Sequence, residues 1–325
     1  MKAVVCREFG GIGDLGIVDL PEPVAGPGEV VVAVRACALN FFDTLIVAGR
    51  YQFRPEPPFS PGGEIAGVVE SLGPGVGHPA VGTPVVVHVR WGGAREKLVV
   101  PAEALIPVPT GLDLVVASTL TITYGTAIHG LADRGGVRPG ETVAVLGASG
   151  GAGQAGIEVA KRLGARVIAC AAGAEKLAFC QEVGADAVID YEAEDLKLRL
   201  KDLTDGRGVD VVYDLVGDRF SEPAIRALAW RGRHLVVGFA AGAIPKPPLN
   251  LLLLKGAASI GVFFGEHVTR EPEVFAAEME RILGWAAAGE IRPHVQEVYP
   301  LERTADALTA IAGRKVRGKV VVVPG

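Results

Sequence analysis

The sequence predicts an α/β protein in which a small antiparallel β-barrel domain carries an inserted domain with a doubly wound parallel sheet. The chain has 325 residues, enough for two hydrophobic cores. Its first 118 residues contain short valine-rich runs separated by Gly/Pro turns, a pattern typical of antiparallel strands. From about Ala117, apolar strand-like runs alternate with helical segments, which indicates a parallel sheet covered on both faces.

The composition favours a small-molecule ligand. Hydrophobic residues make up 49% of the chain and charged residues 21%, with a formal net charge of −5 and no basic run, which argues against nucleic acid or a membrane surface as the main partner. No apolar run approaches the length of a membrane span. The first residues read as a strand without signal-peptide features, so we expect a cytoplasmic protein. The four cysteines are isolated from one another and suggest neither disulfides nor a zinc ribbon.

The first domain is predicted from four runs that alternate with turns. They read EVVVAVRAC, GEIAGVVESLG, GTPVVVHV and EKLVVP. Near the C-terminus, residues 273–289 have helical spacing and GKVVVVP reads as one more strand. Because this last helix and strand resemble the pattern of the first domain more than that of the second, we expect the C-terminal segment to complete the first domain. The predicted first domain therefore contains residues 1–118 and 266–325, and the predicted inserted domain contains residues 119–265.

The inserted domain is predicted from five apolar runs, each of the first four followed by a helical pattern. The strands are TVAVLG, ARVIAC, DAVIDY, VDVVYDLVG and HLVVGF, and the helices cover residues 152–163, 175–183, 194–203 and 220–229. Alternation of this kind predicts βαβ units.

A glycine-rich turn lies between the first of these strands and its helix. Gly150, Gly151 and Gly153 follow Gly147 in the run VLGASGGAGQAG, which reads AxGxxG because Ala148 replaces the usual first glycine. Such a turn lets the backbone approach a pyrophosphate at a helix N-terminus. The alternative is a purely structural turn, but the strand, helix and following βαβ pattern favour dinucleotide binding.

The residues after the second strand favour NADPH over NADH. An NAD site usually places a carboxylate at this strand end, whereas here the run ACAAGAEK has none before Glu175. Gly173 leaves room for a phosphate, Lys176 supplies positive charge, and Tyr191 at the end of the third strand offers a hydroxyl. Lys176 could alternatively be an ordinary solvated helix residue.

Several segments in the same order resemble one known family. They are VVVAVRACALNFFDTLIVAGRY, PFSPGGEIAGVVESLGPGV, TYGTAIHGL, VLGASGGAGQAGIEVAKRLGA, GADAVIDY and PLNLLLLKGAASIGV. The chain resembles the medium-chain dehydrogenase/reductases and is similar within them to the zinc-independent quinone oxidoreductases related to zeta-crystallin. The resemblance implies a GroES-like catalytic domain, a Rossmann cofactor domain and an active site in the cleft between them.

The residues at the superfamily's zinc positions differ from metal ligands. Zinc enzymes of the superfamily have a cysteine after the third strand and a histidine in a Gly-His-Glu turn, whereas this chain has Asn40 near the first position and Gly63 at the second. Cys37 lies three residues before Asn40 and reads as a core residue. Because tetrahedral zinc needs three or four converging ligands, we expect metal-free chemistry.

Chemistry without a Lewis acid favours conjugated acceptors. Hydride delivered to a quinone or an α,β-unsaturated carbonyl spreads the negative charge over an enolate, which hydrogen-bond donors can stabilise. The resemblance implies the same substrates and points to Asn40, Asp43 and Tyr51 as residues of the substrate site. Asn40 could donate its amide to the carbonyl, and Tyr51 could orient substrate or relay a proton. Alternatively, Asn40 and Asp43 only cap a turn and a helix, and Tyr51 only covers the barrel.

The resemblance also implies further cofactor contacts. Thr126 matches a position near the nicotinamide and diphosphate, and Gly238 and Phe239 are expected to pass beside the nicotinamide. Arg314 matches an arginine that reaches the 2′-phosphate, unless it is a solvated loop charge. His129 is expected to be a packed or surface histidine.

An apolar segment that begins at Leu251 and ends at Val262 reads as an edge strand that needs cover, so we expect a homodimer formed through it. Three functions follow. The first is NADPH-dependent reduction of quinones or enones. The second is reduction of an enoyl-thioester by the same chemistry. The third is NADPH binding by a structural protein with weak catalysis.

Overall fold

The computed structural model describes all 325 residues and divides them into two compact units. One unit contains Met1–Ile122 and Glu273–Gly325, and the other contains Thr123–Pro272. The second unit is thus inserted into the sequence of the first, and the predicted fold class, with a β-sheet domain and an inserted parallel sheet, is confirmed. None of the helices is both long and apolar enough to cross a membrane.

The first unit is built mainly of strands. Its strands are β1 (Lys2–Cys6), β2 (Leu15–Asp19), β3 (Glu29–Leu39), β4 (Glu64–Leu72), β5 (Pro84–His88), β6 (Lys97–Pro101), β7 (Ile106–Pro107), β14 (Val295–Pro300) and β15 (Lys319–Val323). Its helices are α1 (Phe41–Val47), α2 (Leu114–Ala117), the start of α3 (Leu120–Ile128), α10 (Pro272–Ala287) and α11 (Thr304–Ala312).

The main sheet of this unit combines strands from its N-terminal and C-terminal segments. Its strand order is β14-β15-β3-β4-β5-β7, with β6 also paired to β3, and only β14 and β15 run parallel to each other. Val30, Val32 and Val34 alternate along β3 and enter one hydrophobic core with Ile65 of β4 and Val320 of β15. The long strand β3 therefore ends at a fixed position, where Leu39 passes the chain to α1.

The second unit is a six-stranded parallel sheet with helices between its strands. The strands are β8 (Thr142–Leu146), β9 (Arg166–Ala171), β10 (Ala187–Asp190), β11 (Val209–Asp214), β12 (Leu228–Val236) and β13 (Ala258–Gly261). The helices are α4 (Gly151–Arg162), α5 (Ala174–Val183), α6 (Leu196–Asp202), α7 (Asp218–Arg226), α8 (Asn250–Lys255) and α9 (Phe264–Arg270), with a π-helical turn at His129–Arg134.

The strand order β10-β9-β8-β11-β12-β13 is that of a Rossmann sheet. The chain reverses its direction of growth between β8 and β11, the two central strands. All five residues of β8 are buried, as expected for a strand covered on both faces. In such sheets the ligand binds beyond the carboxyl ends of the strands at this reversal, which is where the glycine turn lies.

The expected edge strand starting at Leu251 is wrong in its first half. Residues Asn250–Lys255 form the helix α8, and only Ala258–Gly261 form the edge strand β13. Consecutive leucines are good helix formers, and a short apolar run has no periodicity that separates helix from strand. Gly256, with φ of +54°, adopts the left-handed conformation that ends the helix.

The predicted helix over 220–229 also ends earlier than expected. α7 stops at Arg226, and Leu228 already begins β12, paired in parallel with Val209. The helix propensities of Leu228 and Ala229 are compatible with a continued helix. Their extended conformation instead follows from the pairing of β12 with β11.

Candidate functional site

Asn40 lies at the junction between β3 and α1 in the first unit. Its backbone N–H donates to Asp43 Oδ2 over 2.8 Å, and the other carboxylate oxygen of Asp43 accepts from the Gly62 N–H over 3.0 Å. Asp43 is fully buried, so its carboxylate joins the start of α1 to the loop before β4. The structure thus brings Asn40 and Asp43 together and gives Asp43 a capping position at the third residue of the helix.

The side chain of Asn40 belongs to a buried polar network. Its Nδ2 donates to Glu64 Oε1 over 2.9 Å, and its Oδ1 accepts from Lys319 Nζ over 2.6 Å. Lys319 also pairs with Glu64 over 3.0 Å and donates to the Leu39 carbonyl over 2.8 Å. Only 8% of Asn40 is exposed. The network supports the amide from both of its ends.

Sequence reasoning missed Glu64 and Lys319. Glu64 is a carboxylate at the start of the apolar strand β4, and Lys319 begins the valine run of β15. Charged residues are almost never fully buried unless they are paired, so an acid and a base in two predicted core strands signalled a buried ion pair.

The site has unusual acid–base properties because it is buried. Burial raises the pKa of Asp43 to about 7, against the hydrogen bonds from the Asn40 and Gly62 backbones and the positive charge of Lys319. Burial likewise lowers the pKa of His88, whose backbone pairs in register with Glu64, to about 4. At neutral pH the imidazole of His88 is therefore uncharged.

Tyr51 lies outside this network. Its half-buried ring packs against Phe42 with 5.5 Å between ring centroids and against Phe53 with 6.2 Å. Burial raises the pKa of Tyr51, with a smaller contribution from the negative charge of Asp43. The phenol is therefore protonated at neutral pH. Its ring contacts Phe42 of α1, the helix that follows Asn40.

The position that carries a histidine in zinc enzymes has no room for a side chain here. A Cβ atom at Gly63 would lie 2.6 Å from Phe42 Cζ and 3.1 Å from the Arg90 carbonyl oxygen. Burial, followed by the charges of Asp43 and Glu64, raises the pKa of the Cys37 thiol well above its usual range. This donor set is poor for zinc, which needs thiolate, imidazole or free carboxylate ligands.

The glycine turn of the second unit has the geometry of a phosphate-binding turn. β8 ends at Leu146, Gly147 has a φ of +75°, and α4 begins at Gly151 with Gly150 as its N-cap. A Cβ at Gly153 would lie 2.2 Å from the Gly147 carbonyl oxygen. The absence of side chains therefore lets the helix pack on the turn, with the unpaired N–H groups of its first turn beyond the sheet.

The predicted 2′-phosphate residues lie at the ends of β9 and β10. Gly173, with a φ of +87°, is the N-cap of α5, which contains Lys176. Tyr191 follows β10 and packs against Phe220, with 4.4 Å between ring centroids. Asp190, which sequence reasoning missed, accepts the Gly173 N–H over 3.0 Å, so this carboxylate supports the turn.

The remaining cofactor candidates occupy two different units. Thr126 is buried in α3, and the Gly238 N–H donates to the Asp214 carbonyl over 3.2 Å after the end of β12. Phe239 contacts the turn at Gly217, where a Cβ would lie 2.9 Å from its ring. Arg314 follows α11 in the first unit and is exposed, with a φ of +54°.

His129 is buried and packs against a second histidine. It is 5% exposed, and its ring stacks on His267 with 3.9 Å between centroids. Burial and the neighbouring His267 lower its pKa to about 4, so it stays neutral at physiological pH.

Family models match segments of both units. Residues 26–110 match the alcohol dehydrogenase GroES-like domain, and residues 151–283 match the zinc-binding dehydrogenase family. The quinone oxidoreductase-like protein 2 homolog of Nematostella vectensis is 37% identical over 325 residues, covering 99% of this chain and 88% of that protein.

Two further relatives are named as reductases of different acceptors. The quinone oxidoreductase of Thermus thermophilus, solved also as its NADPH complex, is 36% identical with a TM-score of 0.87, covering 99% of this chain and 100% of that one. Prostaglandin reductase-3 of Bos taurus is 34% identical over 94% of this chain and 83% of its own length. The identity and the near-complete coverage show that this chain belongs to the quinone oxidoreductase family of the medium-chain dehydrogenase/reductases.

Proposed function

We propose that this oxidoreductase uses NADPH to reduce quinones or α,β-unsaturated carbonyl compounds without a metal. The single observation that carries the proposal is the Asn40 amide, held in a buried polar network at a position where zinc enzymes of the superfamily carry a ligand. An amide N–H can stabilise an enolate oxygen but is a weak substitute for a Lewis acid at a simple alkoxide.

The donor set around Asn40 supports the metal-free part of the proposal. Gly63 cannot carry a ligand without displacing Phe42, and Cys37 stays a thiol. Both oxygens of Glu64 already accept hydrogen bonds. Binding zinc here would require breaking the pair between Glu64 and Lys319.

The second unit fits NADPH. The N-terminus of α4 and the turn at Gly150, Gly151 and Gly153 would hold the diphosphate, and a side chain at Gly173 would meet no atom within 4 Å, which leaves space for a phosphate near Lys176. When bound, the nicotinamide supplies a hydride. Reduction of a quinone to a hydroquinone would consume that hydride and one proton.

We also propose a cytoplasmic homodimer. Leu253 and Leu254 of α8 are 80% and 71% exposed, and Trp230 of β12 is 69% exposed beside the end of that helix. The adjacent strand β13 is the edge of the sheet. Exposed apolar surface next to a sheet edge is typical of an interface between copies. The cytoplasm is supported by four unpaired, buried cysteines.

The experiment that tests the reaction follows NADPH oxidation with a quinone, an enone, a prostaglandin and an enoyl-CoA, using protein whose zinc content is measured. We expect turnover of the quinone or the enone by metal-free protein. Activity that requires stoichiometric zinc would refute the metal-free part. Tight NADPH binding without turnover of any acceptor would favour the binding-protein alternative.

A prostaglandin belongs in the panel because of one specific observation. The bovine relative is named a prostaglandin reductase and matches 94% of this chain. If the prostaglandin is turned over with a higher kcat/KM than the quinone, the physiological acceptor is better sought among lipids.

A further inference from the structure

We propose that Lys319 is a positioning residue that fixes and polarises the Asn40 amide for the acceptor carbonyl, an inference that rests on the proposed function. Lys319 touches neither the acceptor nor the cofactor in this role and acts only through Asn40. It lies 279 residues further along the chain, and its Nζ is 2.6 Å from Asn40 Oδ1. The side chain of Lys319 is 4% exposed.

The carboxylate of Glu64 makes this burial possible. Its Oε1 accepts from Asn40 and Lys319, and its Oε2 accepts from Thr121 Oγ1 over 2.9 Å and from the Ile122 N–H over 2.8 Å. Four donors thus satisfy a fully buried carboxylate that pairs with one buried ammonium. Glu64 is held in place, so Lys319 and Asn40 face a fixed partner.

The two charges decide which way the amide of Asn40 points. In the observed orientation the amide oxygen faces the ammonium of Lys319 and an amide N–H faces the carboxylate of Glu64. A flipped amide would place N–H groups against the ammonium and the oxygen against the carboxylate, and both contacts would be repulsive. The second Nδ2–H then makes no hydrogen bond within the chain, which leaves it for an external acceptor.

The short contact also strengthens that free N–H as a donor. A cation hydrogen-bonded to an amide oxygen draws electron density from the nitrogen, so hydrogen bonds in such a chain reinforce one another. The remaining N–H of Asn40 is therefore suited to an oxygen on which negative charge develops during hydride transfer. Lys319 thus helps to stabilise the negative charge on the acceptor oxygen through the Asn40 amide, without contacting the substrate.

The positioning role can be tested without turnover. Asn40 and Asn250 are the two asparagines of the chain, so protein labelled with ¹⁵N-asparagine gives two side-chain amides by NMR. Lys319→Met should move the Asn40 amide signals and accelerate their exchange with solvent, while Asn250 serves as an internal reference. Unchanged Asn40 signals in Lys319→Met would overturn the inference, whatever the enzyme reduces.

The matched control is Lys97→Met, which removes another lysine of the same unit. Lys97 pairs with Glu22 over 2.8 Å and with Glu70 over 2.7 Å, outside the network. In Lys97→Met, both the NMR signals of the Asn40 amide and the turnover should match those of the wild type. Should Lys319→Met fold poorly, Lys319→Met/Glu64→Gln removes both buried charges together and is expected to give the same changes.

Kinetics test whether the fixed amide matters for the reaction. With the best acceptor of the panel, Lys319→Met should lower kcat/KM about 10- to 100-fold with little change in NADPH affinity. In an Asn40→Ala background the same substitution should cause no further loss, because Lys319 acts through the amide. Losses that multiply would show a merely structural lysine and overturn the inference. A wild type that reduces none of the acceptors would instead refute the proposed function, and the NMR result would still decide the positioning role.

Discussion

At the residue scale, Asp43 links the chemistry of one buried carboxyl group to the stability of the protein. Its pKa is raised from 3.8 to about 7, so the folded protein keeps this proton at pH values where the unfolded chain has lost it. The contribution of Asp43 to the free energy of unfolding therefore falls as the pH rises from about 4 to about 7.

We expect Asp43→Asn to remove this pH dependence. Between pH 5 and pH 8, the free energy of unfolding of the wild type should fall relative to that of the variant by about 2.5 kcal/mol. Chemical denaturation of both proteins at the two pH values measures the difference. A constant difference between them would place the titration elsewhere.

Asn40 gives a second prediction at this scale. Asn40→Ala removes the proposed donor to the acceptor oxygen and should lower kcat/KM about 100-fold, while NADPH affinity stays unchanged because the glycine turn lies in the other unit. Steady-state kinetics and a fluorescence titration measure the two quantities. Unchanged turnover would remove Asn40 from the site.

The sequence indicated Asn40 and Asp43 but could not supply their partners. An asparagine after a valine-rich strand can be recognised locally, whereas Lys319 reaches it only because β15 pairs with β3 across most of the chain. The pKa of Asp43 is equally invisible in the sequence, since burial raises it against the hydrogen bonds from the Asn40 and Gly62 N–H groups.

At the element scale, the packing of α4 on the glycine turn depends on Gly153. In Gly153→Ala the new methyl group would lie 2.2 Å from the Gly147 carbonyl oxygen and 2.6 Å from Ala148 Cα, so the turn must shift. We expect a loss of about 1–3 kcal/mol in unfolding free energy, together with weaker NADPH binding. Thermal unfolding and NADPH titration measure the two effects.

The control is Gly284→Ala in α10, where an added methyl group meets no atom within 4 Å. This helical glycine should accept alanine with a gain of up to about 1 kcal/mol and normal NADPH binding. Equal behaviour of the two variants would contradict the role of close packing at Gly153.

Sequence patterns were reliable for elements with a clear period and failed where two patterns coincide. The helix predicted at 152–163 forms at Gly151–Arg162, because the glycine turn marks its start. The leucine run after Leu249 satisfies helix and strand alike, and its conformation follows from the left-handed Gly256 and from the position of β13.

At the scale of the whole molecule, the return of the chain to its first domain could be predicted from the texture of the C-terminal segment. β15 lies in the interior of the first unit's sheet, between β14 and β3. Its three central valines are fully buried or nearly so, which is the reason that the run GKVVVV is so apolar.

The proposed homodimer gives the prediction at this scale. Leu253→Glu/Leu254→Glu places two charges on the exposed face of α8 and should convert a dimer into a monomer, since buried unpaired charges are costly at an interface. Light scattering at micromolar concentration measures the mass. A wild type that is already monomeric would refute the dimer.

The four thiols acquire a further meaning if quinones are the acceptors. Quinones are electrophiles that form covalent adducts with thiolates, so an enzyme that handles them risks arylation by its own substrate. Cys6, Cys37, Cys170 and Cys180 are all buried, and burial raises the pKa of each thiol, that of Cys180 to about 12. Because the thiolate is the reactive form, the folded chain presents its acceptor with almost no sulfur nucleophile.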